Sequence, residues 1–347
     1  MKLAGKIRRF CWRASGRDAF LMRKTLPLIH LIIFMRRDMI MSKKLVSLFL
    51  CLLMFCACLP AVAEGGITVT DMTGREVTLA GPAERVVVVM PSDCEILYAI
   101  GAGSAVVGRG TYCNYPEEVA AVTEIQSGGE FNVEQVIALK PDVVIMTKMA
   151  HDPAVVEQLE QNSIPVVVTD AQTLEDTYNC IALLGTVTGK TAEAEAVVAD
   201  MKARIDAVAA KVNASGKTVY FETTPLEYGY GLWSAAKGNF MDEIGTICGL
   251  TNIFGDLEEA WPMVNEEDVI QKNPDYIITI DSSGMGDLDA AAVIKARESW
   301  QSINAVKDGN VLVVGNDAFT RPGPRLAEAV ETLYELIYGE AEEVPAA

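Results

Sequence analysis

Histidine is nearly missing from this chain: there are two in 347 residues, His30 and His151. A protein-built zinc or manganese site needs several imidazoles beside a carboxylate. Acid–base catalysis near neutral pH also draws first on histidine. Bare-metal capture and most hydrolytic chemistry therefore lack their raw material. His151 stands just before Asp152 and Pro153 at a helix start and reads as an exposed residue. The chain also lacks a Gly-x-Ser-x-Gly turn, a phosphate loop and a Cys-x-x-Cys pair. Basic charge is short as well: beyond residue 63 there are 17 Lys and Arg against 45 Asp and Glu, a formal charge of −28. So acidic a body repels nucleic acid and anionic lipid heads and stays soluble, and a monomer with no nucleic-acid partner is expected.

The first 63 residues are of another kind. They carry 12 of the 29 basic residues and two acids, Asp18 and Asp38. Residues 41–44 form a short basic start, 45–59 an almost unbroken apolar run, and Ala61, Val62 and Ala63 a small-x-small cleavage pattern. That combination predicts a signal peptide over 41–63, too short to span a membrane comfortably. Residues 1–40 read as a non-native upstream extension, with translation starting at Met41. Neither Cys56 nor Cys58 sits in a good acylation sequence, so cleavage after Ala63 is favoured over a lipoprotein anchor. The expected location is the periplasm or the outer face of the cytoplasmic membrane. Four cysteines follow, Cys94, Cys113, Cys180 and Cys248. An exported location permits disulfides, the spacing dictates no pairing, and buried free thiols fit equally well.

The remaining 284 residues exceed what one core usually serves, which favours two lobes. Residues 67–71 and 76–79 alternate as a hairpin does. Continuous apolar strands at 86–89, 105–107, 143–146 and 166–169 then alternate with helices starting at Pro91 and spanning 132–139 and 152–161, the pattern of a parallel sheet. Residues 191–213 contain neither Gly nor Pro and repeat apolar side chains at helical steps, predicting one helix of ~34 Å. Beyond it strands are expected at 219–222, 276–280 and 311–314, with a closing helix over 325–338. Residues 132–145 align without gaps on 265–278, identical at seven of 14 positions. Each copy reads as an Asn-capped helix ended by Pro-Asp and followed by a strand. The fold class is therefore α/β: a lobe over 64–189, a bridging helix over 190–215 and a second lobe over 216–347.

Several motifs are specific in their order. Val69, Thr70 and Asp71 precede Gly74 and Arg75; Pro82 and Arg85 precede the first buried strand; Glu95 to Gly103 ends in Gly-Ala-Gly; and Asn252, Ile253 and Phe254 precede Trp300 and Gly309. In this the chain resembles the class III periplasmic binding proteins that serve ABC importers of iron–siderophores, haem and vitamin B12, over nearly all of 67–340. The resemblance implies two Rossmann-like lobes bridged by one long helix, with the ligand in the groove between them. It also implies one surface glutamate per lobe that docks on the permease dimer and its ATPase. The matching positions are Glu134 and Glu267, the same column of the internal repeat. No intrinsic cofactor is implied. The ligand would be an iron–siderophore, haem or a corrinoid, and no catalytic or metal-ligating residue is expected.

Ligands of open α/β lobes lie beyond the carboxyl ends of the strands. By family position Tyr112, Trp261 and Arg321 are the best contacts, with Arg109, Tyr230 and Trp233 as further candidates in loops of the same kind. Aromatics offer flat contact area and arginine a fork for carboxylate, so an anionic chelate is expected. Arg325 reads instead as pairing within the last helix, Tyr228 as a loop rim and Trp300 as structural. The competing reading is an enzyme or metal-handling protein of chelatase type on the same fold, in which Cys94 and Cys113 would be the candidate ligands.

Overall fold

The computed structural model describes residues 66–127, 131–150, 152–213, 216–281 and 289–339. The predicted signal peptide, the upstream segment and His151 lie outside them. β1 (Ile67–Thr70) and β2 (Glu76–Leu79) pair antiparallel with Ile67 opposite Leu79. Asp71 closes their turn by accepting from the Thr73 and Arg75 amides, both at 3.0 Å, and Gly74 takes the left-handed φ of 84° that the turn requires.

The first lobe follows as β3 (Val86–Val88), α1 (Pro91–Ala99), β4 (Val106–Gly110), β5 (Glu124–Ile125), α2 (Val133–Leu139), β6 (Val143–Thr147), α3 (Pro153–Gln161) and β7 (Val166–Thr169). Its five strands are parallel in the order β5-β4-β3-β6-β7. Val86, Val87 and Val88 are fully buried, as a central strand covered on both faces must be. Two helices then run in succession, α4 (Leu174–Thr188) and α5 (Thr191–Ala209). α4 opens on a capping box between Thr173 and Asp176 and stops at Gly189, which is left-handed at φ 69°. A Cβ on Gly185 would lie 2.5 Å from that of Ala194, so the glycine is what lets α4 and α5 approach.

The second lobe runs β8 (Lys217–Glu222), β9 (Leu232–Trp233), α6 (Phe240–Ile247), β10 (Leu250–Asn252), β11 (Met263–Val264), α7 (Glu266–Lys272), β12 (Tyr276–Ile280), α8 (Ala290–Ala296), α9 (Asn304–Lys307), β13 (Val311–Val314), α10 (Asn316–Thr320) and α11 (Leu326–Tyr338). Four strands form a parallel sheet in the order β10-β8-β12-β13, while β9 and β11 pair as a separate antiparallel ribbon. α5 buries Ala194, Met201, Ile205 and Val208. It is tied to α11 by a bidentate bond from Arg204 to Glu331 at 2.9 and 2.6 Å. The spine is shorter than its sequence suggests: 19 residues, about 28 Å, instead of 23. The chain leaves the helix after Ala209 and brings Val212 beside Gly249, where an added Cβ would meet Val212 at 2.6 Å.

The internal repeat is a real structural unit. Asn132 caps α2 by accepting from the Gln135 amide at 3.0 Å, and Asn265 caps α7 by accepting from Asp268 at 2.8 Å. Both helices end on a left-handed residue, Lys140 at φ 49° and Asn273 at φ 47°. The aspartate after each proline then pins the start of the neighbouring strand. Asp142 accepts from the Glu84 and Arg85 amides at 2.9 and 2.8 Å, and Asp275 accepts from Thr218 at 2.9 Å. Pro-Asp in each copy thus sets where β6 and β12 meet their sheets.

Candidate functional site

The carboxyl ends of β3, β4, β6 and β7 open into one cleft, which the second lobe completes with Phe240, Trp261 and the Thr320–Pro322 segment. It encloses about 1050 Å³ of space continuous with solvent, and its lining is more apolar than polar. Three candidate residues line it. Tyr112 stands at its lip, 65% exposed. Trp261 is half-buried, meets Phe240 edge-on at 5.8 Å, and donates its indole N–H to Gln172 Oε1 at 3.1 Å. Arg321 also lines it.

The other candidates lie elsewhere. Arg109 is turned into its own loop, donating to the Gly110 and Cys113 carbonyls at 3.3 Å each and pairing with Glu124 at 3.0 Å. Trp233 sits on β9 and Tyr230 in the turn before it, where the Trp233 indole donates to the Tyr230 carbonyl at 3.0 Å, and neither lines the cleft. Trp300 is fully buried, donating to Glu266 Oε2 at 3.0 Å.

The arginines expected to meet an anion already have acidic partners within the protein. Glu95, on α1 with its side chain 2% exposed, accepts from Arg321 Nη1 at 2.8 Å and from Arg325 Nε and Nη2 at 2.8 and 2.7 Å. Arg325 therefore does not pair within the last helix; it reaches across to the first lobe and stacks on Tyr115 at 4.3 Å. Arg321 is further held by Asp317 at 2.7 Å and Asn114 at 2.7 Å. Lys148, the other cation of the lining, pairs with Asp170 at 2.7 Å. Every cation among the described lining residues has an acid of its own. The reason is compositional: in so acidic a chain a guanidinium finds a carboxylate before any ligand arrives.

Sequence reading passed over the polar residues at the strand ends. Gln172, just past β7, accepts from the Phe240 amide through its carbonyl at 2.8 Å, so it ties the lobes together beside the cleft. Thr147, at the end of β6, has a buried hydroxyl with no partner among the described residues. Asp93, in the first turn of α1, is 1% exposed and also lines the cleft. Position after a β-strand was the one signal that marked all three.

Burial pushes the Asp93 carboxyl from 3.8 up to about 7, against the opposing pull of hydrogen bonds from Thr169 and Cys180. A folded-state value above the unfolded one means that the folded chain holds the extra proton between them. That stabilisation is complete below about pH 4 and is lost as pH rises through about 7. Asp93→Asn removes the loss. It should gain on the order of 2 to 4 kcal/mol at pH 8 relative to pH 5. Calorimetric melts of both proteins at the two pH values check this, and an equal shift at both would contradict it.

All four cysteines beyond residue 63 are buried free thiols. The Cys94 thiol hydrogen-bonds to Cys113, and that bond together with burial pushes it well above its ordinary range. Among the described residues no three His, Cys, Asp or Glu side chains gather as a metal site, and no helix among them is long and apolar enough to cross a membrane.

A family model for periplasmic binding proteins matches residues 86–318, which takes in both parallel sheets and the cleft lining from Met90 to Trp261. The chain belongs to that family. This binding protein is 33% identical to YvrC, an ABC transporter substrate-binding lipoprotein of Bacillus subtilis, over 78% of its own length and 85% of the relative's. It is 30% identical to a vitamin B12-binding protein of Pectobacterium carotovorum, over 72% of its length and 87% of that protein's. Among solved structures, a possible iron-binding periplasmic solute-binding protein of Staphylococcus epidermidis superposes with a TM-score of 0.65 at 28% identity, covering 74% of this chain and 99% of that one. The family comprises solute-binding proteins, and the binding protein works outside the cytoplasm.

Proposed function

We propose that this binding protein is the capturing component of an ABC importer for a metal chelate, and that the chelate is a corrinoid, a macrocycle with carboxamide arms. One observation carries the choice among chelates. The cleft presents aromatic and apolar surface while its cations are already paired with Glu95, Asp317 and Asp170. Haem brings carboxylates that would have to displace one of those acids; a corrinoid's amide rim asks for hydrogen-bonding groups that need carry no positive charge, and Gln172, Thr147 and Asp93 are such groups. The 30% identity to a vitamin B12-binding protein supports the same choice. The aromatic wall formed by Trp261 and Phe240 suits a flat guest. The permease dimer and its ATPase would receive the loaded protein, with Glu134 and Glu267 as the docking carboxylates.

Absorbance of protein purified from its own cells tests the ligand: corrin bands support the reading, whereas a Soret band or a ferric charge-transfer band overturns it. Trp261→Ala should weaken cyanocobalamin binding about ten- to a hundredfold, the usual loss for a central aromatic anchor. Fluorescence or calorimetric titration measures it, with circular dichroism to show an unchanged fold. Affinity within threefold of wild type would remove Trp261 from the site.

A further inference from the structure

Two polar groups on the inner wall of the cleft have hydrogen-bonding capacity that the protein leaves unused. Asp93 accepts from the Thr169 hydroxyl at 3.0 Å on Oδ2 and from the Cys180 thiol at 3.6 Å on Oδ1. An ionised carboxylate can take about four such bonds, so it can accept more. The Thr147 hydroxyl, buried at the end of the adjacent strand β6, has no partner among the described residues. Both residues line the same cavity. A carboxyl buried to this degree would be replaced by Asn or an apolar residue if packing were its only task, because burial without a full set of donors is unfavourable.

We propose that Asp93 and Thr147 together form a carboxamide-reading subsite, and that seating a ligand carboxamide there releases a proton from Asp93. A primary carboxamide carries what each group lacks: its N–H can donate to the Asp93 carboxylate and its carbonyl can accept from the Thr147 hydroxyl. The proton leaves to solvent through the open cleft. This rests on the corrinoid reading above and adds the residues that tell an amide arm from the carboxylate of an acid analogue. A ligand carboxylate would face Asp93 as a like charge.

Several ionisable groups surround Asp93, among them Cys113, whose thiol its bond to Cys94 pulls below its ordinary range, and Asp93→Asn separates the response of the carboxyl from theirs. Cys180 on α4 is pushed well above its ordinary range by burial. Cys94, next in sequence, is held up by its bond to Cys113 on the loop after β4. Glu95 is gripped by Arg321 and Arg325, and Asp170 after β7 is paired with Lys148 after β6. Asp93 itself stands at about 7 in the empty protein. A donor from the ligand favours the charged form, so affinity should rise with pH.

The test is the affinity for cyanocobalamin between about pH 5.5 and about pH 8.5, in wild type, Asp93→Asn and Thr169→Val. Wild-type Kd should fall about tenfold per pH unit below neutrality and level off above it. Asp93→Asn should give a flat profile. Thr169→Val, which removes a donor to the carboxylate, should move the levelling point to higher pH, a change that a merely structural role would not produce. A flat wild-type profile, or a slope that survives Asp93→Asn, overturns the subsite and leaves the corrinoid reading standing. Protein that binds no cyanocobalamin at any pH overturns the corrinoid reading. The ligand-free carboxyl 13C titration then decides Asp93: a resonance inflecting near neutrality and missing from Asp93→Asn sustains it, and none overturns it.

Discussion

Alanine at both Glu134 and Glu267 should abolish uptake while leaving chelate affinity and folding as they are. The two carboxylates occupy the second position of α2 and α7, equivalent places in the repeated unit, and both are exposed. Their neighbours are spoken for: the residue before Glu134 is the buried Val133, and the one before Glu267 is Glu266, which accepts from Trp300 and Ser299. An acid in a first turn gains about 0.3–1 kcal/mol from the helix dipole, so each replacement alters stability by no more than that. A central charge at a docking surface is worth about 2 kcal/mol or more, and two of them lost together amount to a roughly thousandfold drop in productive encounters. Equivalent charges on both lobes suit a partner made of two like subunits. Uptake of labelled cyanocobalamin into proteoliposomes holding the permease and ATPase measures the effect. Wild-type transport by the double variant would remove the docking role.

The second large effect is expected at Glu95. Its carboxylate is almost wholly buried and neutralises both Arg321 and Arg325, which are 14% and 19% exposed. Glu95→Ala leaves two desolvated guanidinium groups with Asp317 as their remaining counter-charge, a change that typically costs about 3–5 kcal/mol. For a chain of this size that corresponds to a fall in Tm of roughly 10 °C. Glu95→Gln, which keeps the shape and one of the two acceptor oxygens but not the charge, should fall in between. A melt of Glu95→Ala within 2 °C of wild type would mean that the inter-lobe cluster is energetically idle.

The sequence made the architecture readable where a local rule and a global need coincide. The Asn caps, the Pro-Asp stops and the apolar strands after them are written into both copies of the repeat, and each is there in the structure. α4 escaped because its Thr-rich run with Gly185 in it has little helical propensity of its own. The helix is held by its packing on α5, which needs that very glycine. Side-chain destinations were harder still. Tyr112, Trp261 and Arg321 come together at the cleft, but Arg109 and Arg325 have the same scarcity and the same loop positions and go elsewhere. Arg109 is drawn aside by Glu124, whereas Arg321 and Arg325 share Glu95 and only Arg321 lines the cleft, and that is a matter of three-dimensional neighbours. Asp93 was equally hidden, since an acid in the first turn of a helix is ordinarily a solvated dipole partner.

The pairing of every lining cation with an acid of the protein has one more consequence. Free sulfate and phosphate ions are recognised largely by unpaired positive charge, and the described residues of the cleft offer them none to grip. The protein can thus wait in an ion-rich medium without being fouled by common salts, and it answers to the outline and amide pattern of a rare guest.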